Sequence, residues 1–198
     1  MAKRTKKHTG LAVFAAALVL LTVCGLVFGG SIVSFFKQKL YPIKYADEIC
    51  AAADRYGISR ALAAAVVNTE SGFRPEAVSR AGALGLMQVL PSTAEWIDYR
   101  RGTALPENGL YDPETNLDYG CWLLSYLLDR YGGNERNALI AYNAGFGKAD
   151  EWLGDASLLD ENGEIAEIPY AETRNYVKKV LDMKKTYGEL YEEFGKGK

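Results

Sequence analysis

VVNTESGFRPEAVSRAGALGLMQ, residues 66–88, is the stretch that decides how this chain is read. On its N-terminal side residues 61–69 have the pattern of a helix. Leu62 and Val66 lie four apart on one apolar stripe, and the next step of four lands on Glu70. A carboxylate therefore stands where a core residue is expected. Gly72 supplies a stop and leaves Glu70 in the last turn, where unpaired carbonyls disfavour negative charge. Partial burial and the helix end both act to raise its pKa, the state a general acid needs near neutral pH. From this residue alone, a solvated glutamate at a frayed helix end stays open as the alternative.

The chain has 198 residues, 48% of them hydrophobic, which is enough for one globular domain with a real core behind an apolar leader. Its net charge of −2, with scattered basic residues, carries no nucleic-acid footprint. The one histidine is His8, ahead of the apolar segment, so the domain itself contains none. That removes His-assisted serine and cysteine nucleophiles and most zinc sites, and no cofactor or metal is expected.

Residues 1–10 carry Lys3, Arg4, Lys6 and Lys7, and residues 11–36 follow without a charge. That run is long enough to cross a bilayer and too long for the apolar region of a cleaved signal peptide. Val23 before Cys24 does not suit a lipoprotein site, so Cys24 reads as a small apolar membrane residue. The charge bias predicts a single-pass anchor with a cytoplasmic basic tail and the rest outside the cytoplasm. Residues 37–42 form a short linker that keeps the following domain, 43–194, near the membrane, and 195–198 form a tail.

Within that domain helices are expected over 43–56, from a Ser59 cap to Glu70, from Pro91, from Asp112 to about Gly132, from Asn134 to Gly145, over 149–153 and over 170–191. Residues 98–106 are expected as a polar connector. Asn162-Gly163 can form a small hairpin near 157–168, in an acidic connector. No repeats or alternating strands are present, so the class is all-α.

Several motifs occur in one order: Glu70-Ser71, Ser79, Gly82-Ala83-Leu84-Gly85-Leu86-Met87-Gln88, Pro91-Ser92-Thr93-Ala94, Ala141-Tyr142-Asn143-Ala144-Gly145, and Pro169 through Val177. Together they resemble the soluble-lytic-transglycosylase (SLT) domain family over about residues 43–190. The resemblance implies a lysozyme-like fold acting on peptidoglycan strands at the bond between N-acetylmuramic acid and N-acetylglucosamine. It implies that Glu70 is a single acid/base and that the product carries a 1,6-anhydro end. Ordinary glycosidases need a second carboxylate. The nearest in sequence, Glu76 and Glu95, read as solvated.

The resemblance further implies that Ser79 hydrogen-bonds and orients Glu70, and that Tyr142 and Asn143 line the cleft with the tyrosine hydroxyl near the acid. Gly82 and Gly85 would let the backbone approach a sugar, while Met87 and Gln88 would supply an apolar wall and an amide. Glu172 and Tyr176, one turn apart on the last helix, are further substrate-binding candidates, and Tyr170 a weaker one. Cys50 and Cys121 would share an oxidising compartment, and whether they pair is left open. Two other functions stay in view: a hydrolytic muramidase on the same fold, similar to goose-type lysozyme, and a glycan-binding scaffold module without activity.

Overall fold

The computed structural model describes residue 14 and residues 35–195. The chain divides into two compact units, Met1–Pro42 and Ile43–Lys198. In the first, residues 35–40 are helical, with Phe35 and Phe36 exposed and edge-on at 5.8 Å. The basic tail, Cys24 and most of the apolar run 11–36 lie outside the described residues. Among the described residues no helix is long and apolar enough to cross a membrane.

The second unit is built around one buried helix. Helix α1 spans Ala46–Arg55 and α2 spans Arg60–Ser71. Ser59 caps α2 by accepting from the Leu62 N–H, and Gly72 ends it in the left-handed region at φ 61°. Residues 61–67 are all buried, because the alanines that flank Leu62, Val66 and Val67 let neighbours close in on every side. The rest of the shell is α3 (Pro91–Arg101), α4 (Pro113–Arg130), α5 (Glu135–Ala144), α6 (Phe146–Leu153), α7 (Ala171–Leu190) and a last turn α8 (Glu192–Gly195). Short 3₁₀ turns lie at Gly109–Tyr111 and Ala156–Leu158. Helices α1, α7 and α8 pack directly on α2, and α4 packs against α1 and α5.

The all-α expectation holds, and only isolated bridges interrupt it among the described residues. Leu159 bridges Ile165 at the expected hairpin. Its turn is organised by the Asp160 carboxylate, which accepts from the Asn162 and Glu164 N–H groups. The connector expected from residue 98 is a correction: α3 runs on to Arg101 before Gly102 (φ 67°) ends it. Asp98 belongs to the helix and accepts from Thr103, Leu105 and Tyr119, so its polarity is spent in holding the turn that follows. The expected helix over 149–153 begins earlier, at Phe146, straight after the break at Gly145.

Between α2 and α3 the chain makes a compact loop, with bridges Val78–Leu84 and Leu84–Val89. Its anchor is Asn116, buried on α4. The amide donates to the carbonyls of Leu84 (2.9 Å) and Leu110 (2.8 Å) and accepts from the Met87 N–H (2.7 Å). Ser71, also buried, donates to the Leu86 carbonyl at 2.8 Å. Beneath them Met87 fills the space above Gly120, where a Cβ would stand 2.3 Å from the Met87 sulfur. Cys121 lies beside the same sulfur at 3.8 Å. Cys50 and Cys121 are both free thiols, Cys121 buried in the core and Cys50 half-buried on α1.

Three stability outcomes follow from this packing. Asn116→Ala orphans the Met87 N–H and the Leu110 carbonyl, while the Leu84 carbonyl keeps the Val89 N–H, and should cost about 2–4 kcal/mol in urea unfolding, at about 1–3 kcal/mol for each unsatisfied group with partial relaxation. Gly120→Ala should lower the melting temperature by overpacking Met87. Gly188→Ala, whose Cβ would meet only Ala61 at 3.9 Å, should raise it through helix propensity.

Candidate functional site

Glu70 sits in the last turn of α2, which the buried alanine-rich turns before it hold against movement. Its carboxyl is half-buried. Desolvation raises its pKa from 4.5 to about 7, against smaller opposing effects from the Tyr176 hydroxyl and the Lys179 charge, both on α7. Two phenols close over it. Tyr142, from the end of α5, donates to the Met87 carbonyl at 2.9 Å. Burial, and then the nearby Glu70, holds its hydroxyl well above the ordinary tyrosine range. Tyr176 is shifted the same way by burial, then by Glu70 and Tyr142. The Tyr176 hydroxyl is buried and meets no acceptor with full hydrogen-bond geometry, so its contact with Glu70 is loose, a spacing that can tighten around a substrate.

Glu70 opens into a pocket of about 490 Å³ lined by Arg74, Glu76, Val78, Ser79 and Gln88. On the other side of Tyr142 a second pocket of about 430 Å³ is lined by Leu90, Thr93, Trp96, Tyr142, Asn143 and Phe146. Residues 87–90 form the ridge between them. Gln88 holds φ at 51°, a left-handed conformation that costs a non-glycine residue about 1 kcal/mol. Its amide NH₂ fastens the ridge to the carbonyls of Ala77 and Gly85.

The structure thus brings Glu70, Ser79, Gln88, Tyr142, Asn143 and Tyr176 to the walls of one region, and it alters several expected roles. Ser79 accepts from the Ala83 N–H, and among the described residues no hydrogen bond joins it to Glu70; its hydroxyl shapes the loop. Gly85 (φ 76°) faces inward, not toward a sugar: a Cβ there would stand 2.2 Å from both the Asn116 amide and the Leu110 carbonyl. Met87 is fully buried, so its side chain supports the ridge from below and only its backbone serves the site, as acceptor for Tyr142. The Gln88 amide nitrogen is already engaged with the backbone. Glu172 is exposed in the first turn of α7 and lines neither pocket. Tyr170 lies edge-on to Trp152 at 5.0 Å.

Asn116 and Trp96 were not among the expected site residues. Asn116 carries the same signal as Glu70, a polar side chain on an apolar stripe. Trp96 lines the second pocket together with Phe146, 50 positions later, a juxtaposition that leaves no local trace. Glu76, expected to be solvated, is exposed, and it also lines the pocket of Glu70. A separate acidic hollow between α1 and α4 is structural in its main member: Asp118 accepts from Arg55, Tyr56 and Arg101 and ties three elements together. Among the described residues no group of three or more His, Cys, Asp or Glu side chains is placed to hold a metal ion.

The soluble lytic murein transglycosylase of Salmonella typhimurium is 35% identical over 165 residues, covering 79% of this chain and 24% of that protein. The membrane-bound lytic murein transglycosylase C of Edwardsiella ictaluri is 34% identical over 166 residues, covering 73% of this chain and 46% of that protein. The crystal structure of the 70 kDa soluble lytic transglycosylase of Escherichia coli superposes with a TM-score of 0.71 at 33% identity, over 77% of this chain and 25% of that one. This chain therefore spans between about a quarter and a half of the length of these relatives. Since residues 47–164 match the transglycosylase SLT domain, with the lysozyme-like helical fold to go with it, the chain belongs to that family.

Proposed function

We propose that this protein is a peptidoglycan lytic transglycosylase that uses Glu70 as its only acid/base. The observation that carries this is a carboxyl at the end of a buried helix, desolvated enough to hold its proton near pH 7, with two phenols closed over it. As the acid, Glu70 gives its proton to the glycosidic oxygen while the bond from the anomeric carbon to that oxygen breaks. The muramoyl 6-hydroxyl then attacks the anomeric carbon, and the Glu70 carboxylate takes the hydroxyl proton. The new bond closes a 1,6-anhydro ring, and no water is consumed. The rings of Tyr142 and Tyr176 keep water away, and that desolvation, which favours the neutral acid, outweighs the smaller opposing effect of the Tyr176 hydroxyl. Asn143 and the Gln88 carbonyl oxygen are polar groups available to the strand.

The apolar run 11–36, preceded by four basic residues, supports a single-pass membrane anchor with the domain outside the cytoplasm, and membrane-bound relatives are in keeping with it. A second reading, hydrolysis with Glu76 as base for water, is favoured by the presence of that carboxylate in the same pocket.

Digestion of purified peptidoglycan by the detergent-solubilised chain, followed by mass spectrometry, separates the two. Products lighter by one water are expected, and Glu70→Gln should abolish them while glycan binding persists. Hydrated ends that disappear with Glu76→Gln would establish the hydrolase instead. The pH dependence has a definite sign. Between 4.5 and about 7 the folded state holds the Glu70 proton more tightly than the unfolded chain does, so this group's contribution to stability falls as pH rises through that window. Glu70→Gln should match the unsubstituted protein in stability below pH 4.5. Above pH 7 it should be more stable, by on the order of 2 kcal/mol after allowance for partial exposure. Turnover should decline as pH rises past about 7.

A further inference from the structure

Two tyrosines of α7 reach the end of α2, and the reaction at Glu70 has a use for only one of them. Tyr176 and Tyr187 lie about three helical turns apart and so share one face of α7. Tyr176 meets Glu70. Asn68 and Glu70, two positions apart, point to opposite sides of α2, and Tyr187 takes the Asn68 side: its hydroxyl accepts from the Asn68 amide at 2.7 Å. Tyr187 is fully buried. A phenylalanine would fill that space as well, so the hydroxyl and the amide it receives form a polar pair that apolar packing does not call for. What the pair fixes is Asn68, whose carbonyl also accepts from the Gly72 N–H at 3.0 Å and closes the helix end around Glu70.

The chain beyond that end is strained. Gly72 and Phe73 both hold φ at 61°. Glycine adopts this left-handed conformation freely, but for a bulky aromatic residue it is an outlier that persists only where the surroundings enforce it. Phe73 is 4% exposed and lies edge-on to Tyr187, with ring centroids 6.4 Å apart. The Tyr187 ring is backed in turn by Tyr191 at 6.1 Å, and Tyr191 by Phe194 of α8 at 6.2 Å. The turn then closes on itself, since the Arg74 guanidinium Nε donates to the Ser71 carbonyl at 2.8 Å. Glu70 therefore lies between two points, Asn68 and Phe73, that both rest on one side chain.

We infer that Tyr187 is a positioning residue for Glu70, holding the helix end before the acid through Asn68 and the strained turn after it through Phe73, so that the carboxyl stays at the boundary between core and pocket. The inference rests on the reading of Glu70 as the acid and adds what keeps it in place. Tyr187 lines neither pocket of the site, so its loss should lower kcat and leave KM nearly unchanged.

The test measures kcat and KM across pH for the detergent-solubilised full chain on soluble peptidoglycan strands. The groups that face Glu70 are all kept: Tyr176 and Lys179 on α7, Tyr142 on α5, and Arg74 and Glu76 after α2. Tyr187→Phe keeps the ring against Phe73 and removes the partner of Asn68. It should lower kcat about tenfold with KM within about twofold, since a displacement of about 1 Å can cost about a hundredfold. The descending limb of the profile, expected near pH 7, should move to lower pH because a loosened carboxyl takes up water. Phe73→Leu, which keeps apolar bulk and removes the ring contact, should shift kcat and the limb the same way. Asn68→Leu combined with Tyr187→Phe separates positioning from stability: an apolar pair leaves no buried group unpaired and should restore the melting temperature, while kcat and the limb stay displaced. A limb left in place by Tyr187→Phe and Phe73→Leu, or a kcat that returns with the melting temperature in the double variant, would overturn the role of Tyr187 and leave the reading of Glu70 intact. Turnover retained by Glu70→Gln would overturn both.

Discussion

The site depends on the desolvation of one carboxyl group. A glutamate in water titrates too low to act as an acid near neutral pH, and only removal from water, without a close cation to compensate, moves it upward. Here the burden falls on α2. Its seven buried residues before Asn68 fix the helix in the centre of the domain, and Gly72 ends it two residues after Glu70. The carboxyl is thereby left at the boundary between core and pocket, half-buried. Lys179 is near enough to pull the pKa down but does not form an ion pair with it, and the shift to about 7 survives.

The loop after α2 extends the same logic to the backbone. Nearly every polar group in residues 77–88 that an observer would assign to a ligand is instead spent on the loop: the Ser79 hydroxyl on Ala83, the Gln88 amide on Ala77 and Gly85, the Met87 N–H on Asn116. A ridge that carries a left-handed glutamine needs such support, since the strain of about 1 kcal/mol at that residue must be outweighed by its neighbours. The resulting wall is braced from within, and through the Met87 carbonyl it fixes the Tyr142 hydroxyl beside the acid. Preorganisation of this kind is what lets desolvation act on one group without collapsing the pocket around it.

Family resemblance and physical reading meet at Glu70 but diverge at its neighbours. Gly85 and Met87 belong to the motif that identifies the domain, and both serve packing: one makes room for Asn116 and Leu110, the other fills the space above Gly120. A motif marks residues that must be present together and does not say which of them faces the ligand.

What the sequence determined by itself is set by local periodicity and by caps. The stripe leading to Glu70, the stop at Gly72, the caps at Ser59, Asp112 and Asn134, and hence the all-α class, are all legible, because each depends on residues within one or two turns. The order of the motifs was enough to name the family. Tertiary structure decided what depends on distance across the chain. It set how far Glu70 is desolvated, that Tyr142 and Tyr176 converge on it, that Asn116 clamps a loop some 30 residues away, and that Trp96 and Phe146 share a wall. It also turned Met87 inward and extended α3 through Asp98. Side-chain direction in a loop follows from which neighbour offers a partner or a space, and those neighbours are supplied by the fold.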